Sequence, residues 1–341
     1  MNMKLRLHLL TPVLLLAGVL SAAGAAGPAR PDMLAVGPED VDLANCAVYA
    51  DGKEAGRPTA EQVAALLGLA PFDGQKAWSS GATPAKRRDF RLAFKSAVSF
   101  STLVAPAQTG PEKRAMQAVR GRFAAVLKAD AALPGDVSKE DAWTVLPAGP
   151  VKCLDAAVST RAIRFTCISL DAEADNPGNA NSRLRPVLIL KERHFDALAM
   201  GSQSSFGNAK ENRPEYWIQS WALPKPVTAM AVYHSAPSDF VVRALDARAD
   251  RPPQLAADTN WVQAASGRIH AGIQCVPLRT PGPVLALKIS GPEQWRVESG
   301  SALLPLCALK AGEPVPASGA TPPPFTVGYD MPLDGFSAGQ I

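Results

Sequence analysis

The chain has 341 residues, of which 47% are hydrophobic, and a formal net charge of +4. This length and hydrophobic fraction suit two packed domains, and the small charge argues against nucleic acid or an anionic membrane surface as a partner. Its 31 prolines, about twice the usual share, favour short strands and many turns over long helices.

The first 26 residues have the three parts of a secretory signal peptide. Lys4 and Arg6 form a basic start, an apolar run ends at Leu20, and small residues close the segment. The apolar run of about 12 residues is too short for a membrane span, which needs about 20. We therefore expect cleavage after Ala25 or Ala26, export to the periplasm or the extracellular space, and no transmembrane segment in the mature chain.

Residues 27–70 form a predicted N-terminal extension that contains one short helix. Thr59 and Gln62 have the spacing of a capping box, in which each side chain bonds to the backbone of the other residue. Val63 and Leu66 follow at helical spacing.

The following part of the chain contains an internal repeat at an offset of about 118 residues. Trp143 matches Trp261 and Leu127 matches Leu245 within one gap-free stretch. The other identities in this stretch are Ala129 with Ala247, Ala131 with Ala249, Pro134 with Pro252, and Gly149 with Gly267. A match of Trp, Pro and Gly in one register is difficult to obtain by chance.

Segments on either side extend the match. Each copy has an aromatic segment followed by an apolar run, namely Asp89–Phe94 with Val98–Val104, and Tyr216–Trp221 with Val227–Tyr233. Short apolar runs broken by turn residues are typical of antiparallel sandwiches and jelly rolls. The sequence therefore predicts an all-β fold of two tandem antiparallel jelly-roll β-sandwiches, over 71–193 and 194–312, preceded by one short N-terminal helix.

A further matched pair lies near the end of each copy, where Arg161–Cys167 resembles Pro283–Ile289. Ile163 alternates with Arg164 and Thr166, which is the period of a half-buried strand. Beyond the second copy, Pro and Gly dominate residues 313–341, which we expect to be an extended or mobile tail.

The order of elements in the second copy resembles a known family. A polar loop leads to the aromatic Tyr216–Trp221, then to Leu223–Val227, and later to Trp261 and an apolar strand. This order is similar to the galactose-binding-like jelly-roll family, which includes discoidin and coagulation-factor-type C domains. The resemblance covers 195–310 and, less closely, 71–193. It implies binding of a glycan, a lipid or a protein through loops at one end of a sandwich.

The five cysteines all lie in the predicted mature chain, and export permits disulfides. We favour Cys153 with Cys167 and Cys275 with Cys307 because each pair belongs to one copy of the repeat. Other pairings stay open, and Cys46 is left over. No pair has the C-x-x-C spacing of a zinc or redox site.

Motifs for catalysis or for a cofactor do not occur in the sequence. The three histidines of the mature chain lack the H-E-x-x-H spacing, and neither a G-x-S-x-G elbow nor a phosphate-binding glycine loop is present. We therefore expect no metal and no cofactor. Paired carboxylates for glycoside hydrolysis are defined only in three dimensions, so a carbohydrate-active hydrolase stays open.

Aromatic residues beside polar groups are candidates for sugar contacts, since sugar rings stack on aromatic faces. The candidates are Trp78, Arg88, Arg213, Tyr216 and His234. Four other tryptophans are expected in the cores: Trp143, Trp217, Trp221 and Trp261.

Three hypotheses follow for the function. The first is an exported non-enzymatic protein that binds carbohydrate or another cell-surface ligand through sandwich loops, with a glycan or a surface protein as partner and no nucleic acid. The second is a structural or protein-interaction scaffold of the cell envelope. The third is a carbohydrate-active hydrolase.

Overall fold

The computed structural model describes residues 31–316 apart from several internal segments. The segments outside the description are 75, 81–84, 86, 106–118, 170–183, 201, 207–215, 235, 247–260, 281 and 291–301, together with the side chains of 119–123, 167–169, 199–200, 202–206, 216, 222, 246 and 302. The predicted signal peptide and all of the predicted tail beyond residue 316 therefore lie outside the described residues.

The predicted helix is present as α1, Ala60–Leu66. Thr59 Oγ1 accepts a hydrogen bond from the backbone N–H of Gln62 at 3.2 Å, and Gln62 Oε1 accepts one from the backbone N–H of Thr59 at 2.9 Å. This capping box starts the helix, and the buried Val63 and Leu66 fix it to the core. No helix in the described ranges has the length and apolarity needed to cross a membrane.

Antiparallel strands of the first half pair into one sheet, which has seven strands within the described part of the chain. The strands are β1 Ala47–Ala50, β2 Lys53–Gly56, β3 Arg87–Val104, β4 Val119–Leu127, β5 Trp143–Val145, β6 Val151–Ser169 and β7 Leu188–Leu190. Their order is β2-β1-β3-β6-β4-β5, and β7 pairs with the far end of β3. Two strands from the predicted N-terminal extension therefore join this sheet.

The second half is a sandwich of two antiparallel sheets. Its strands are β8 His194–Asp196, β9 Ser202–Phe206, β10 Tyr216–Lys225, β11 Val227–His234, β12 Ser238–Asp246, β13 Trp261–Ile269, β14 Gly272–Pro277, β15 Val284–Ser290 and β16 Ala302–Ala308. One sheet has the order β13-β12-β15-β10-β9 and the other β14-β11-β16-β8. Apolar side chains of both sheets, among them Trp221 and Met230, form one core between them. The predicted all-β class with a short helix is confirmed.

Strand pairing follows the sequence repeat. The order β3-β6-β4-β5 in the first half matches β10-β15-β12-β13 in the second. Leu127 faces Trp143 across β4 and β5, and Leu245 faces Trp261 across β12 and β13. The domain limits at 71, 193 and 312 stay predictions.

The strand pairing shifts one matched pair of segments, Arg161–Cys167 and Pro283–Ile289, by two residues relative to their match in sequence. Val126 faces Ile163, and its counterpart Ala244 faces Leu287 rather than Leu285. Because side chains alternate with a period of two, this shift keeps every residue on its expected face of the sheet.

The two halves share an apolar interface. Alternate residues of β11 point to opposite faces, so that Met230 packs in the sandwich core while Ala231 and Tyr233 pack towards the first half. There they meet Leu188 and Leu190 of β7. The four-stranded sheet is thus buried on both faces, which explains the continuous apolar run of β11.

The turn after α1 adds a second contact between the halves. Phe72 donates a backbone hydrogen bond to the carbonyl of Ala271 at 2.8 Å. Gly68 has φ +72°, and a Cβ at this position would lie 2.4 Å from the carbonyl oxygen of Ile273. Only glycine therefore allows this approach.

The predicted disulfides are wrong. Cys153, Cys275 and Cys307 are free thiols. Cys275 and Cys307 lie on β14 and β16, on either side of β11, and they point into different cores. They lie two strand spacings apart, about 9.5 Å, and opposite positions that are four residues apart along β11, Ala231 and Val227. Their separation therefore exceeds the roughly 7 Å reach of a disulfide. Cys153 and Cys167 lie fourteen residues apart along one strand, β6, which holds their backbones far apart.

Candidate functional site: a charged face of the first sheet

The first half of β3 has one apolar and one charged face. Phe90 and Leu92 are fully buried in the core of the first half. Arg87, Asp89 and Arg91 alternate with them and therefore point to the opposite face of the sheet. This outer face therefore collects three charged side chains, of which Asp89 is buried while Arg87 and Arg91 are partly exposed.

Neighbouring strands place further polar groups on the same face. In the register between β3 and β6, Asp89 faces Thr166 and Arg91 faces Arg164. In the register between β1 and β3, Tyr49 faces Asp89. Together with Glu140 in the 3-10 turn before β5 and Trp143 at the start of β5, these side chains form a surface that we call the arginine face: Tyr49, Arg87, Asp89, Arg91, Glu140, Trp143, Arg164 and Thr166.

An ion-pair network holds the centre of the arginine face. Arg164 binds Glu140 with two hydrogen bonds, of 2.9 and 3.2 Å, and its Nε lies 4.0 Å from Asp89 Oδ1. Arg87 bridges the same two carboxylates, with contacts of 2.8 Å to each. Thr166 Oγ1 donates a hydrogen bond to Asp89. The side chain of Arg164 is 6% exposed and that of Asp89 11%, whereas Arg87 is 36% and Glu140 63% exposed, so the network has a buried and a solvent-facing side.

The network shifts the ionisation of Glu140. Its partial burial acts to raise the pKa, but the hydrogen bonds and charges of Arg164 and Arg87 outweigh this effect and hold the pKa of Glu140 below its ordinary value. Glu140 is therefore a fixed anion at neutral pH.

Two arginines of the same face lie over aromatic rings. The guanidinium of Arg164 lies 4.7 Å from the ring centre of Trp143, and that of Arg91 lies 3.9 Å from the ring centre of Tyr49. Such contacts are electrostatically favourable and keep the guanidinium planes in place. The indole N–H of Trp143 donates to the carbonyl of Val137, which anchors the ring under the loop before β5.

Arg91 differs from the other two arginines. Within the described residues, no carboxylate or carbonyl accepts a hydrogen bond from it. Its Nε is buried without an acceptor, as is that of Arg164, but Arg164 donates to Glu140 through its Nη groups. Burial lowers the pKa of Arg91, in spite of the nearby Tyr49 and Asp89. The three arginines of the face exceed its two carboxylates by one charge. The neighbouring ion pair of Glu54 and Arg57, at 2.7 Å, is balanced in itself.

The second half builds the equivalent face without this network. Arg91 of β3 corresponds to Ile218 of β10, and Asp89 corresponds to Tyr216. Arg91 faces Arg164 on β6, and Ile218 faces Lys288 on β15. Ile218, Leu245 and Ala286 form a buried apolar cluster there. A cation over a tryptophan is retained, since Lys288 lies 5.8 Å from the ring centre of Trp261. The fold therefore accepts apolar residues at positions where the first half has charges.

Of the residues predicted from sequence, Trp78 and Arg88 lie in the first half. Trp78 is in a loop, as expected, but its ring is only 3% exposed and packs edge-on against Phe90 with the ring centres 5.3 Å apart. Arg88 is 3% exposed and donates to the carbonyl of Ala85 at 2.9 Å. Both side chains lie among the buried residues rather than on an open loop surface.

The other predicted residues belong to the second half. His234 ends β11 opposite Gly272, is 8% exposed, and has its Nδ1 at 2.6 Å from the carbonyl of Ala236. Arg213 and the side chain of Tyr216 lie outside the described residues. The role of all five residues as ligand contacts stays a prediction. The expected core positions of Trp143, Trp217 and Trp221 are confirmed, while Trp261 is partly exposed.

Sequence reasoning misses the arginine face. The alternation of Arg87, Asp89 and Arg91 with apolar residues is the signal that could have identified it. The pattern of β6 predicts Arg164 on an exposed face, yet it is buried against Glu140 and the ring of Trp143. In the described part of the chain, no three His, Cys, Asp or Glu side chains lie close enough together to hold a metal ion.

Comparisons with known proteins give structural neighbours only. No protein-family model matches the chain, and neither does any curated protein sequence. A fucolectin from striped bass serum (Morone saxatilis) has 12% identity and a TM-score of 0.28, with 82% of this chain and 99% of that chain covered. Allantoicase from Saccharomyces cerevisiae has 8% identity and a TM-score of 0.23, with 70% and 82% covered. The CBM32-1 and CBM32-2 domains of Clostridium perfringens ZmpB have 7% identity and a TM-score of 0.21, with 80% and 93% covered.

These neighbours are galactose-binding-like, discoidin-type jelly rolls, which is the family that the order of strands resembles.

Proposed function

We propose that this chain is an exported, non-enzymatic protein that binds carbohydrate at the cell surface, and that the arginine face is its binding surface. The observation that carries the proposal is the difference between the two halves. Where the second half has the buried Ile218, the first half has Arg91 on the same face as a charge network in which Arg164 and Asp89 are buried. Burying charges is energetically unfavourable compared with apolar packing, so their presence favours a binding role over a purely structural one.

The arginine face has the chemistry that sugar hydroxyls require. Guanidinium groups donate and carboxylates accept hydrogen bonds, and both are present on neighbouring strands. The contacts of Arg87 with Asp89 and Glu140 hold these groups in place before a ligand arrives. The partly exposed Tyr49 adds a ring at the edge. A sheet face is also extended, which suits a polymer better than a small molecule.

A panel of immobilised polysaccharides tests the proposal with residues 27–341, which contain the compact unit that begins at Pro31. We expect saturable binding to at least one polysaccharide, with weaker binding by Arg91→Ile. Arg213→Ala and Tyr216→Ala test the loop site that the sequence predicts. Loss of binding in the loop variants alone would move the site to the loops, and no binding to any polysaccharide would reject the proposed function.

The second candidate is a scaffold of the cell envelope, which the shared apolar interface favours. Tyr233 and Leu306 belong to the same buried apolar cluster as Leu188 and Leu190 of β7, which joins the halves as a rigid spacer between partners would need. Co-purification of a stable protein partner from the native envelope, without affinity for any polysaccharide, would support the scaffold over carbohydrate binding.

The arginine face does not favour a hydrolase. Glycoside hydrolysis needs one carboxylic acid that is protonated near neutral pH beside a second carboxylate. Asp89 and Glu140 are instead both held by Arg87 and Arg164, and the pKa of Glu140 is lowered.

A further inference from the structure

The unbalanced charge of the arginine face lies at Arg91. Arg87 and Arg164 share the two carboxylates of the network, whereas the contact found for Arg91 within the described residues is the ring of Tyr49. Its Nε is buried without an acceptor, while the residue as a whole is partly exposed. The Nη groups of Arg91 are thus the donors that an incoming ligand can use.

We propose that Arg91 binds the carboxylate of acidic sugar residues, so that the ligand of the arginine face is a uronate-containing polysaccharide. This inference rests on the proposed function, namely that a polysaccharide is bound, and it adds the chemical class of the ligand. A single anionic group would neutralise the excess charge of the face and supply the acceptors that Arg91 lacks.

The geometry of arginine favours a carboxylate as that anion. The planar guanidinium offers parallel N–H donors that match the two oxygens of a carboxylate, and such charged hydrogen bonds are about twice as strong as neutral ones. The contact with Tyr49 at 3.9 Å fixes the plane of the guanidinium, so that less side-chain freedom is lost on binding. Neutral sugars would leave the excess charge without a counter-charge.

The second half indicates which substitution to use. At the position of Arg91 it carries Ile218, which is buried next to Leu245. Arg91→Ile therefore places on the first sheet a residue that the same fold already accepts. Arg91→Lys keeps the positive charge but removes the planar guanidinium and its parallel N–H donors. Arg161→Gln is a matched control, because Arg161 is an exposed arginine on the neighbouring strand β6.

The experiment measures the affinity of residues 27–341 for alginate, hyaluronate and polygalacturonate, each compared with its methyl ester by calorimetry. We expect binding to at least one acid form and about 10- to 100-fold weaker binding to its ester. Arg91→Ile should weaken binding of the acid form by a similar factor and leave the ester unaffected. Arg91→Lys should fall in between, and Arg161→Gln should match the parent chain. Urea unfolding of each variant establishes that it is folded.

The outcomes separate the two proposals. If no polysaccharide binds, charged or neutral, the proposed function fails. If neutral polysaccharides or the esters bind as well as the acids, or if a folded Arg91→Ile binds like the parent, the function stands and the acidic ligand is rejected. Equal binding of single-stranded DNA would also reject it, because it would indicate general attraction of polyanions.

Discussion

Removing Arg164 should destabilise the protein by an amount that the structure allows us to estimate. Arg164→Met keeps much of the side-chain volume but removes two hydrogen bonds to Glu140, an ion pair with Asp89 at 4.0 Å, and the cation over Trp143. Breaking a buried pair by removing one partner costs roughly 3–5 kcal/mol. Because Glu140 is 63% exposed and Arg87 remains beside Asp89, we expect a smaller loss of about 2–3 kcal/mol in the free energy of unfolding.

Urea unfolding followed by circular dichroism measures this loss, and a double-mutant cycle assigns it. The coupling of Arg164→Met with Asp89→Asn should exceed its coupling with Glu140→Gln, since Asp89 is buried and Glu140 is not. A loss below about 0.5 kcal/mol for Arg164→Met, or the reverse order of the couplings, would refute the reasoning that the buried part of the network stabilises the sheet.

Three further predictions concern acid, the interface and the thiols. The pKa of Glu140 is lowered in the folded state, so its stabilisation should be present above its ordinary value of 4.5 and be lost as the pH falls through the lowered pKa. Parent and Glu140→Gln should therefore differ in unfolding midpoint at pH 7, and the difference should shrink as the pH falls below 4.5, whereas a constant difference would contradict the shift. Leu306→Ala should lower the free energy of unfolding by about 2–5 kcal/mol in one transition, because Leu306 is fully buried between the halves, and two separate calorimetric transitions would disprove this coupling. Burial raises the pKa of Cys46 to about 11 and those of Cys275 and Cys307 to about 12, so these thiols should react slowly with Ellman's reagent in the folded protein. Dithiothreitol should leave the unfolding midpoint unchanged, and a fall would indicate a disulfide.

Local and repeated patterns predicted much of the fold. The capping box of Thr59 and Gln62 identified the helix because its contacts span only three residues. The match of Trp143 with Trp261 identified equivalent positions because each tryptophan faces the matching leucine of the equivalent strand, β4 in the first half and β12 in the second. Such features depend on residues that are close in sequence or are duplicated.

Contacts between distant segments could not be predicted in the same way. Cys275 and Cys307 belong to the same copy of the repeat, but strand order places β11 between them, and only the sheet topology reveals this. Asp89 meets Thr166 across 77 residues, and its approach to Arg164 depends on the same pairing of β3 with β6. Trp78 was predicted to be an accessible loop residue because its packing against Phe90, which places the ring in the core, cannot be read from the local sequence.

The most direct test of the account is to locate the bound polysaccharide on the protein by NMR. Backbone and arginine side-chain signals of residues 27–341 would be followed during titration with an acidic oligosaccharide that binds. We expect the largest changes at Arg91, including its Nε–H signal, and at Tyr49 and Arg164, with no such changes in Arg91→Ile. Changes confined to the second half, for instance at His234 and Tyr216, would contradict the assignment of binding to the arginine face.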